Sequence, residues 1–185
     1  MPNAIVSVYD KNNLEELVAI LRILNFNIFA TEGTLNSIKK ITNYSKVYPI
    51  SMYCQNPHGV ENYFSSLSFN SLVGTLTNEH VKIGDIFVEN IDVVVYNFVP
   101  SWDVVKTYED FNILNVDLGG PTIVRAAAIN FKHALPIISP KQYPILRDFN
   151  SIDMQMRIEL AQEAFAYCAW YDNCLNKHLK SLSNK

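Results

Sequence analysis

Charge is scarce in this chain. Only 18% of its 185 residues are Asp, Glu, Lys or Arg, and the formal net charge is -3. Without a basic excess there is no electrostatic footprint for a phosphodiester backbone, which excludes nucleic acid as a partner. Cysteine is scarce as well. Cys54, Cys168 and Cys174 form an odd set without Cys-x-x-Cys spacing, so they read as reduced thiols of a cytoplasmic protein and as core filler. His58, His80, His133 and His178 show no ligand spacing, and no metal is expected. No apolar run approaches the roughly 20 residues that cross a bilayer, so no membrane partner is expected. No basic-then-apolar leader precedes the first apolar run. Internal repeats and dividing linkers are missing too. Residues 1–185 therefore read as one domain with a sizeable core, and the low charge beside 49% hydrophobic residues suggests burial in an oligomer.

The pattern that is present alternates strand and helix. Ala4 to Tyr9 is a short apolar run of buried parallel-strand type. Asn13 opens a helix through Leu24, with Leu14, Leu17, Val18, Leu21 and Leu24 on one face. Asn27 to Ala30 is a second strand, and Thr34 is placed to cap a helix over Leu35 to Ile41. Val47 to Ile50, Ile91 to Asn97 and Leu135 to Ile138 are further strands. Met154 to Leu179 is a long terminal helix with Met156, Leu160, Phe165, Cys168 and Leu175 on its apolar side. The pattern predicts an α/β fold, an open and mostly parallel sheet with helices on both faces. In such sheets ligands sit beyond the carboxyl ends of the strands, where Asp10, Lys11 and Thr31 to Thr34 fall.

One stretch organises the rest: Val116-Asp117-Leu118-Gly119-Gly120-Pro121-Thr122-Ile123-Val124-Arg125-Ala126-Ala127-Ala128-Ile129-Asn130. Two glycines give a bare, bent backbone, Pro121 fits a first helical turn, and the alanines favour helix. Asp117 stands just before the free N–H groups of that helix. It is either a cap of an ordinary helix or part of an anion site.

This stretch resembles the "DIGGPxxxRAAAKN" segment of the IMP cyclohydrolase domain, the N-terminal half of the bifunctional purine-biosynthesis enzyme that also carries a formyltransferase half. Ala4-Ile5-Val6-Ser7-Val8-Tyr9-Asp10-Lys11 resembles the family's opening "ALISVYDK", Ala30-Thr31-Glu32-Gly33-Thr34 its "STGGT", and Ile91 to Asn97 its "DLVVVN" strand. Arg157 to Asp172, ending Ala169-Trp170-Tyr171-Asp172, is similar to its closing "RxxLAxKAFxxTAxYD". The anchors keep the family's order over nearly the whole chain. The resemblance implies a methylglyoxal-synthase-like fold with flavodoxin-like layering, a homodimer, a ribonucleotide ligand, a formyltransferase on a separate partner chain, and no metal or redox cofactor. It implies Asp117 as the catalytic base and Leu118, Gly119 and Gly120 as backbone donors. Ser7, Lys11, Thr31, Gly33 and Thr34 match the residues that hold the 5′-phosphate, a hydroxyl–cation set suited to that group.

Other positions depart from the family. Ala30 replaces a serine, Asn12 a threonine, and Glu32 a glycine. A Glu32 carboxylate turned inward within about 4 Å of a phosphate would repel it by about 1 to 4 kcal/mol per charge pair, and one turned to solvent would leave the cradle usable. In the segment matching "GRVKTLHPKVHGG", Tyr63 stands for the arginine, Ser65 for a catalytic lysine and Ser68 for the histidine. Val99 replaces the tyrosine of "NLYPF", and Ile129 the lysine of "RAAAKN"; Lys132 does not take over that role, since an offset of three fixes no common direction. Arg125 reads as a buried helix arginine paired in the core, and Tyr171 and Asp172 as residues closing the last helix on the sheet. Two functions of different class follow. One is a cyclohydrolase-like enzyme closing a formamido-carboxamide ring. The other is a non-catalytic nucleotide-binding or regulatory paralogue that keeps fold and dimer. A methylglyoxal synthase, which shares the fold, is a third reading, but its resemblance reaches only the Thr31 to Thr34 loop.

Overall fold

The computed structural model describes residues 1–54, 68–107, 110–111 and 115–183. Its strands in chain order are β1 (Asn3–Val8), β2 (Asn27–Ala30), β3 (Val47–Pro49), β4 (Val81–Ile83), β5 (Ile86–Val88), β6 (Val93–Asn97) and β7 (Leu135–Ile137). Five of them form a parallel sheet in the order β3-β2-β1-β6-β7, while β4 and β5 form a separate antiparallel hairpin. Gly84, at φ +60, supplies the left-handed residue of that hairpin's turn. All six residues of β1 and all five of β6 are buried, so these two central strands are covered on both faces.

The helices are α1 (Leu14–Ile23), α2 (Glu32–Ile41), α3 (Ile50–Cys54), α4 (Phe69–Leu76), α5 (Ser101–Val104), α6 (Gly119–Ile129) and α7 (Met154–Ser183), with a 3₁₀ segment over Pro140–Ser151. One face of the sheet packs Ala4, Val6, Val93 and Val95 against Leu17 and Leu21 of α1 and Tyr143 and Leu146 of the 3₁₀ segment. The other packs Ile5, Val94 and Tyr96 against Ile123, Val124 and Ala127 of α6 and Ala164 and Cys168 of α7. The alternation of valines along β6 feeds both cores, as period-2 geometry requires.

Four details differ from the sequence expectation. Helix α1 begins at Leu14, because Asn13 takes a left-handed conformation at φ 57 that asparagine tolerates. Helix α2 begins three residues early: Thr31, in extended conformation, stands at the N-cap, while Thr34 is buried in the first turn and accepts the Val8 N–H at 3.0 Å. On α7, Phe165 points outward and is 44% exposed; Ala161, Ala164, Cys168 and Tyr171 form the buried stripe instead. Arg125 is paired, to Asp172 at 2.5 Å, but outside the core, with both side chains partly exposed.

Strand order reverses between β1 and β6: β2 and β3 lie to one side of β1, β6 and β7 to the other. The loops leaving β1 and β6 therefore diverge and open a crevice at the carboxyl edge of the sheet.

Candidate functional site

Three strand exits build the site. At the end of β2, Thr31 Oγ1 donates to Ser7 Oγ at 3.0 Å and lies 3.4 Å from Thr34 Oγ1. Thr34 is locked into the fold through Val8, whereas Thr31 is half-buried and caps no backbone N–H with its side chain. Gly33 faces open space: a Cβ built there meets nothing within 4 Å. The first turn of α2 thus starts beside two hydroxyls and carries open space at Gly33, which suits an anion. At the end of β1, the Lys11 ammonium folds back to Val8 O at 3.0 Å and Tyr9 O at 3.4 Å, so its charge stays at the strand end. A surface groove of about 690 Å³ begins at Lys11 and runs between α1 and α2 past Ser37. Glu32 is exposed in the first turn of α2, where the helix dipole favours a carboxylate.

At the end of β6, Asn97 is the clasp. Its Oδ1 accepts the N–H groups of Tyr9 and Asp10 at 2.6 and 2.7 Å, and its Nδ2 donates to Asp10 O at 3.1 Å. One side chain therefore ties the β1 exit loop to β6. Two residues on, the Val99 N–H points to Asp117 Oδ2 at 3.5 Å.

Asp117 Oδ1 accepts the Gly120 N–H at 2.8 Å, so the carboxylate caps α6. The Tyr96 hydroxyl donates to the same carboxylate. Burial pushes the Asp117 carboxyl above the usual aspartate range, against the opposing pull of the Gly120 and Val99 N–H groups and the Tyr96 hydroxyl. A half-buried carboxylate raised in this way is a stronger proton acceptor than a surface aspartate. Gly120 is obligatory for the arrangement: a Cβ there would stand 2.9 Å from each Asp117 oxygen and collide with the Tyr96 ring. Behind Asp117, the Tyr171 hydroxyl accepts the Asp117 N–H at 3.1 Å and shares a 2.5 Å hydrogen bond with Ser101 Oγ. The Tyr167 hydroxyl accepts the Phe98 N–H at 3.0 Å. Burial raises the pKa of both phenols, so they remain neutral supports.

The two halves meet across the sheet. Ser7 and Tyr96 are register partners on β1 and β6, so their side chains share one face. Thr31, Ser7, Tyr96 and Asp117 therefore follow one another on one face over β2, β1 and β6, with Thr31 bonded to Ser7 and Tyr96 to Asp117.

Not every expected residue joins that line. Leu118 and Gly119 enter α6 beside Asp117, Leu118 exposed and Gly119 buried. Ile129 ends α6, about 15 Å along the axis from its first turn, so a side chain at that position stands away from Asp117 of the same chain. Ser68 caps α4 by accepting the Ser71 N–H at 3.1 Å. Tyr63, Ser65 and His58 lie outside the described residues. The Cys168 thiol, buried, is pushed up to about 11, which makes it a poor nucleophile. Tyr96, Asn97 and Ser101 escaped the sequence reading. The signal for the first two was present: a tyrosine and an asparagine interrupt an otherwise all-valine strand at its carboxyl end.

No protein-family model matches the chain. Whole-protein relatives do. The bifunctional purine biosynthesis protein PurH of Caldicellulosiruptor saccharolyticus is 33% identical over 190 residues, covering 96% of this chain and 36% of that protein. PurH of Buchnera aphidicola is 31% identical over 186 residues, covering 95% of this chain and 35% of that protein. Nearly the whole chain is similar to one part of these PurH proteins. It spans about a third of the length of these PurH relatives. The crystal structure of ForH shares the fold, with a TM-score of 0.78 at 23% identity over 96% of this chain and 98% of ForH. PurH homology thus agrees with the IMP cyclohydrolase resemblance and with the α/β architecture. Among the described residues, no helix is long and apolar enough to cross a membrane, and no group of three His, Cys, Asp or Glu could hold a metal.

Proposed function

We propose that the carboxyl edge of the sheet binds a purine-type or imidazole ribonucleoside monophosphate, as PurH homology suggests. The 5′-phosphate meets Ser7, Lys11, Thr31 and the N–H groups around Gly33 and Thr34, and the ring lies toward Asp117. The polar line from Thr31 through Ser7 and Tyr96 to Asp117 carries this reading. Neighbouring strands lie about 4.8 Å apart, so the β2, β1 and β6 exits span about 10 Å, a reach suited to one nucleotide.

In the reaction of the family, a carboxamide nitrogen attacks the formyl carbon of the same molecule. The new C–N bond closes the ring; the carboxamide nitrogen gives up one proton and the formamido N–H the other as the ring C=N bond forms, the C–O bond breaks and the formyl oxygen leaves as water. Both reacting groups are on one molecule, so holding the conformer supplies much of the rate. Asp117, with its raised pKa, accepts the carboxamide proton; the Gly120 N–H is already given to Asp117 Oδ1, so Leu118 and Gly119 are left as the backbone donors for the oxygen that gains charge.

Turnover of the standard formamido substrate is expected to be small. Val99 brings no hydroxyl to Asp117, and Ser65 brings no cation. Losing one such donor commonly lowers the rate a hundred- to a thousandfold, about 2.7 to 4 kcal/mol; losses within one site add incompletely, so one such factor is claimed. The non-catalytic paralogue is the second reading, favoured by one observation: the Asp117 carboxylate is already engaged in capping α6. Absorbance during incubation with the formamido nucleotide decides between them. Rapid closure that vanishes in Asp117→Asn establishes the enzyme, whereas binding without closure establishes the paralogue. The same reading takes the chain as a homodimer with the formyltransferase on another chain. Sedimentation showing only a 21.1 kDa species at high concentration would remove the dimer.

A further inference from the structure

A second cleft lies at the other end of the sheet. It opens between the outer strands β2 and β3 and the β4–β5 hairpin, with a volume of about 450 Å³. That size falls within the range of small-ligand pockets. Its walls are aromatic. Phe29 and Tyr48 are register partners on β2 and β3, so their rings stand on one face, with centroids 5.7 Å apart. Tyr53 of α3 adds a ring 5.0 Å from Phe29 at 52°. Phe87 of β5, about half-exposed, closes the opposite wall.

Besides the tyrosine hydroxyls, the cleft carries the carboxylate of Glu89 and the amide of Asn27. Asn3, fully buried, donates from Nδ2 to Glu89 Oε2 at 3.1 Å and accepts from Asn27 Nδ2 at 2.9 Å. The carboxylate is thereby held at the edge of the aromatic walls through one oxygen. Tyr53 donates its hydroxyl to the Glu89 carbonyl, which fixes the ring against the same residue. Gly74 makes room for that contact, since a Cβ there would run into the Tyr53 hydroxyl and the Glu89 carbonyl. Two independent anchors thus set the carboxylate and the rings in one place.

We propose that this cleft binds a small organic ammonium cation. Ring faces present negative charge, and a cation seated over them is attracted most when partly desolvated. The anchored carboxylate supplies the countercharge. A neutral apolar ligand would gain from the rings but nothing from Glu89, and an anion would be repelled by it. Asn27 and Glu89 put the polar end of the cleft at the start of β2 and ahead of β6, whereas Asp117 is held by Val99 beyond the carboxyl end of β6.

Choline and its neutral isostere 3,3-dimethylbutan-1-ol are the probes, titrated into the full chain and followed by ligand-observed NMR. Choline is expected to bind at least tenfold more tightly than the isostere. Glu89→Gln should lower choline affinity about three- to tenfold, and Phe87→Leu, which keeps apolar volume at an exposed site, by a similar factor. Both variants should leave isostere binding within twofold, and Asp117→Asn should leave choline binding unchanged. Circular dichroism confirms that each variant folds. Equal affinity for the two probes would overturn the proposal, and so would no binding of choline at 50 mM or choline binding that survives Glu89→Gln undiminished.

Discussion

Substituting Gly120 by alanine sets packing against helix propensity, and the two give opposite signs. Gly120 lies in the first turn of α6, where alanine would ordinarily add about 1 kcal/mol of helix stability. Here the new methyl would stand 2.9 Å from both Asp117 carboxylate oxygens and closer still to the Tyr96 ring. Neither neighbour is free to retreat. The Asp117 carboxylate is held by the Gly120 N–H and its main chain by the Tyr171 hydroxyl, and Tyr96 is buried within β6. Overpacking of this kind costs about 1 to 3 kcal/mol, and weakening the charge-assisted bond at Gly120 adds up to about 3 kcal/mol. After the propensity gain, the net loss falls between about 0 and 5 kcal/mol and centres on about 2 to 3, a fall in Tm of roughly 4 to 12 °C at that centre for a chain of this size. Urea unfolding followed by tryptophan fluorescence measures it, since Trp102 lies 6.0 Å from the Tyr171 ring and 5.5 Å from Trp170. A variant as stable as the parent, or more so, would refute the packing argument.

Gly33→Ala is the counterpart. With open space around it and no positive φ, it should be neutral or stabilise α2 by up to about 1 kcal/mol in thermal unfolding, yet weaken nucleotide binding by filling the phosphate volume. Asp117→Asn should change the pH dependence of stability. Burial raises the folded-state pKa, so the proton is held more tightly in the folded chain than in the unfolded one. That stabilising contribution is full below about pH 4 and is lost as pH rises through the folded value; the asparagine variant should lack this slope in urea titrations. Tyr171→Phe removes the acceptor of the Asp117 N–H and the partner of Ser101, and equilibrium unfolding should show a loss of about 1 to 3 kcal/mol. Arg125→Ala, which breaks a partly exposed ion pair, should cost less than about 1 kcal/mol by the same measurement.

Much of the fold was legible because its elements carry local signals. The buried run of β1, the apolar stripe of α1 and the Gly-Gly-Pro entry to α6 each follow from a period or a turn preference. Boundaries moved where a tertiary contact overrode local preference. Thr34 has good capping chemistry, but its hydroxyl is taken by the main chain of Val8 across the β1–α2 contact. Phe165 lies close to the α7 stripe, but small residues occupy the face that meets α6 and the sheet. At the site, Asp117 and the Thr31 loop could be named from motif, whereas the clasp of Asn97 and the register of Ser7 with Tyr96 are properties of strand order. A single sequence does not state which strands are neighbours. The position of Ile129, at the far end of α6, likewise follows only once the helix is traced from Gly119.

Calorimetric titration of inosine monophosphate into the full chain, alongside Thr31→Ala and Asp117→Asn, tests the nucleotide site most directly. Saturable one-site binding is expected, weakened at least tenfold in Thr31→Ala, which removes a hydroxyl proposed to hold the phosphate, and changed less in Asp117→Asn. No heat of binding in the parent at millimolar nucleotide, or binding unaffected by Thr31→Ala, would contradict the assignment of the phosphate to the β1 and β2 exits.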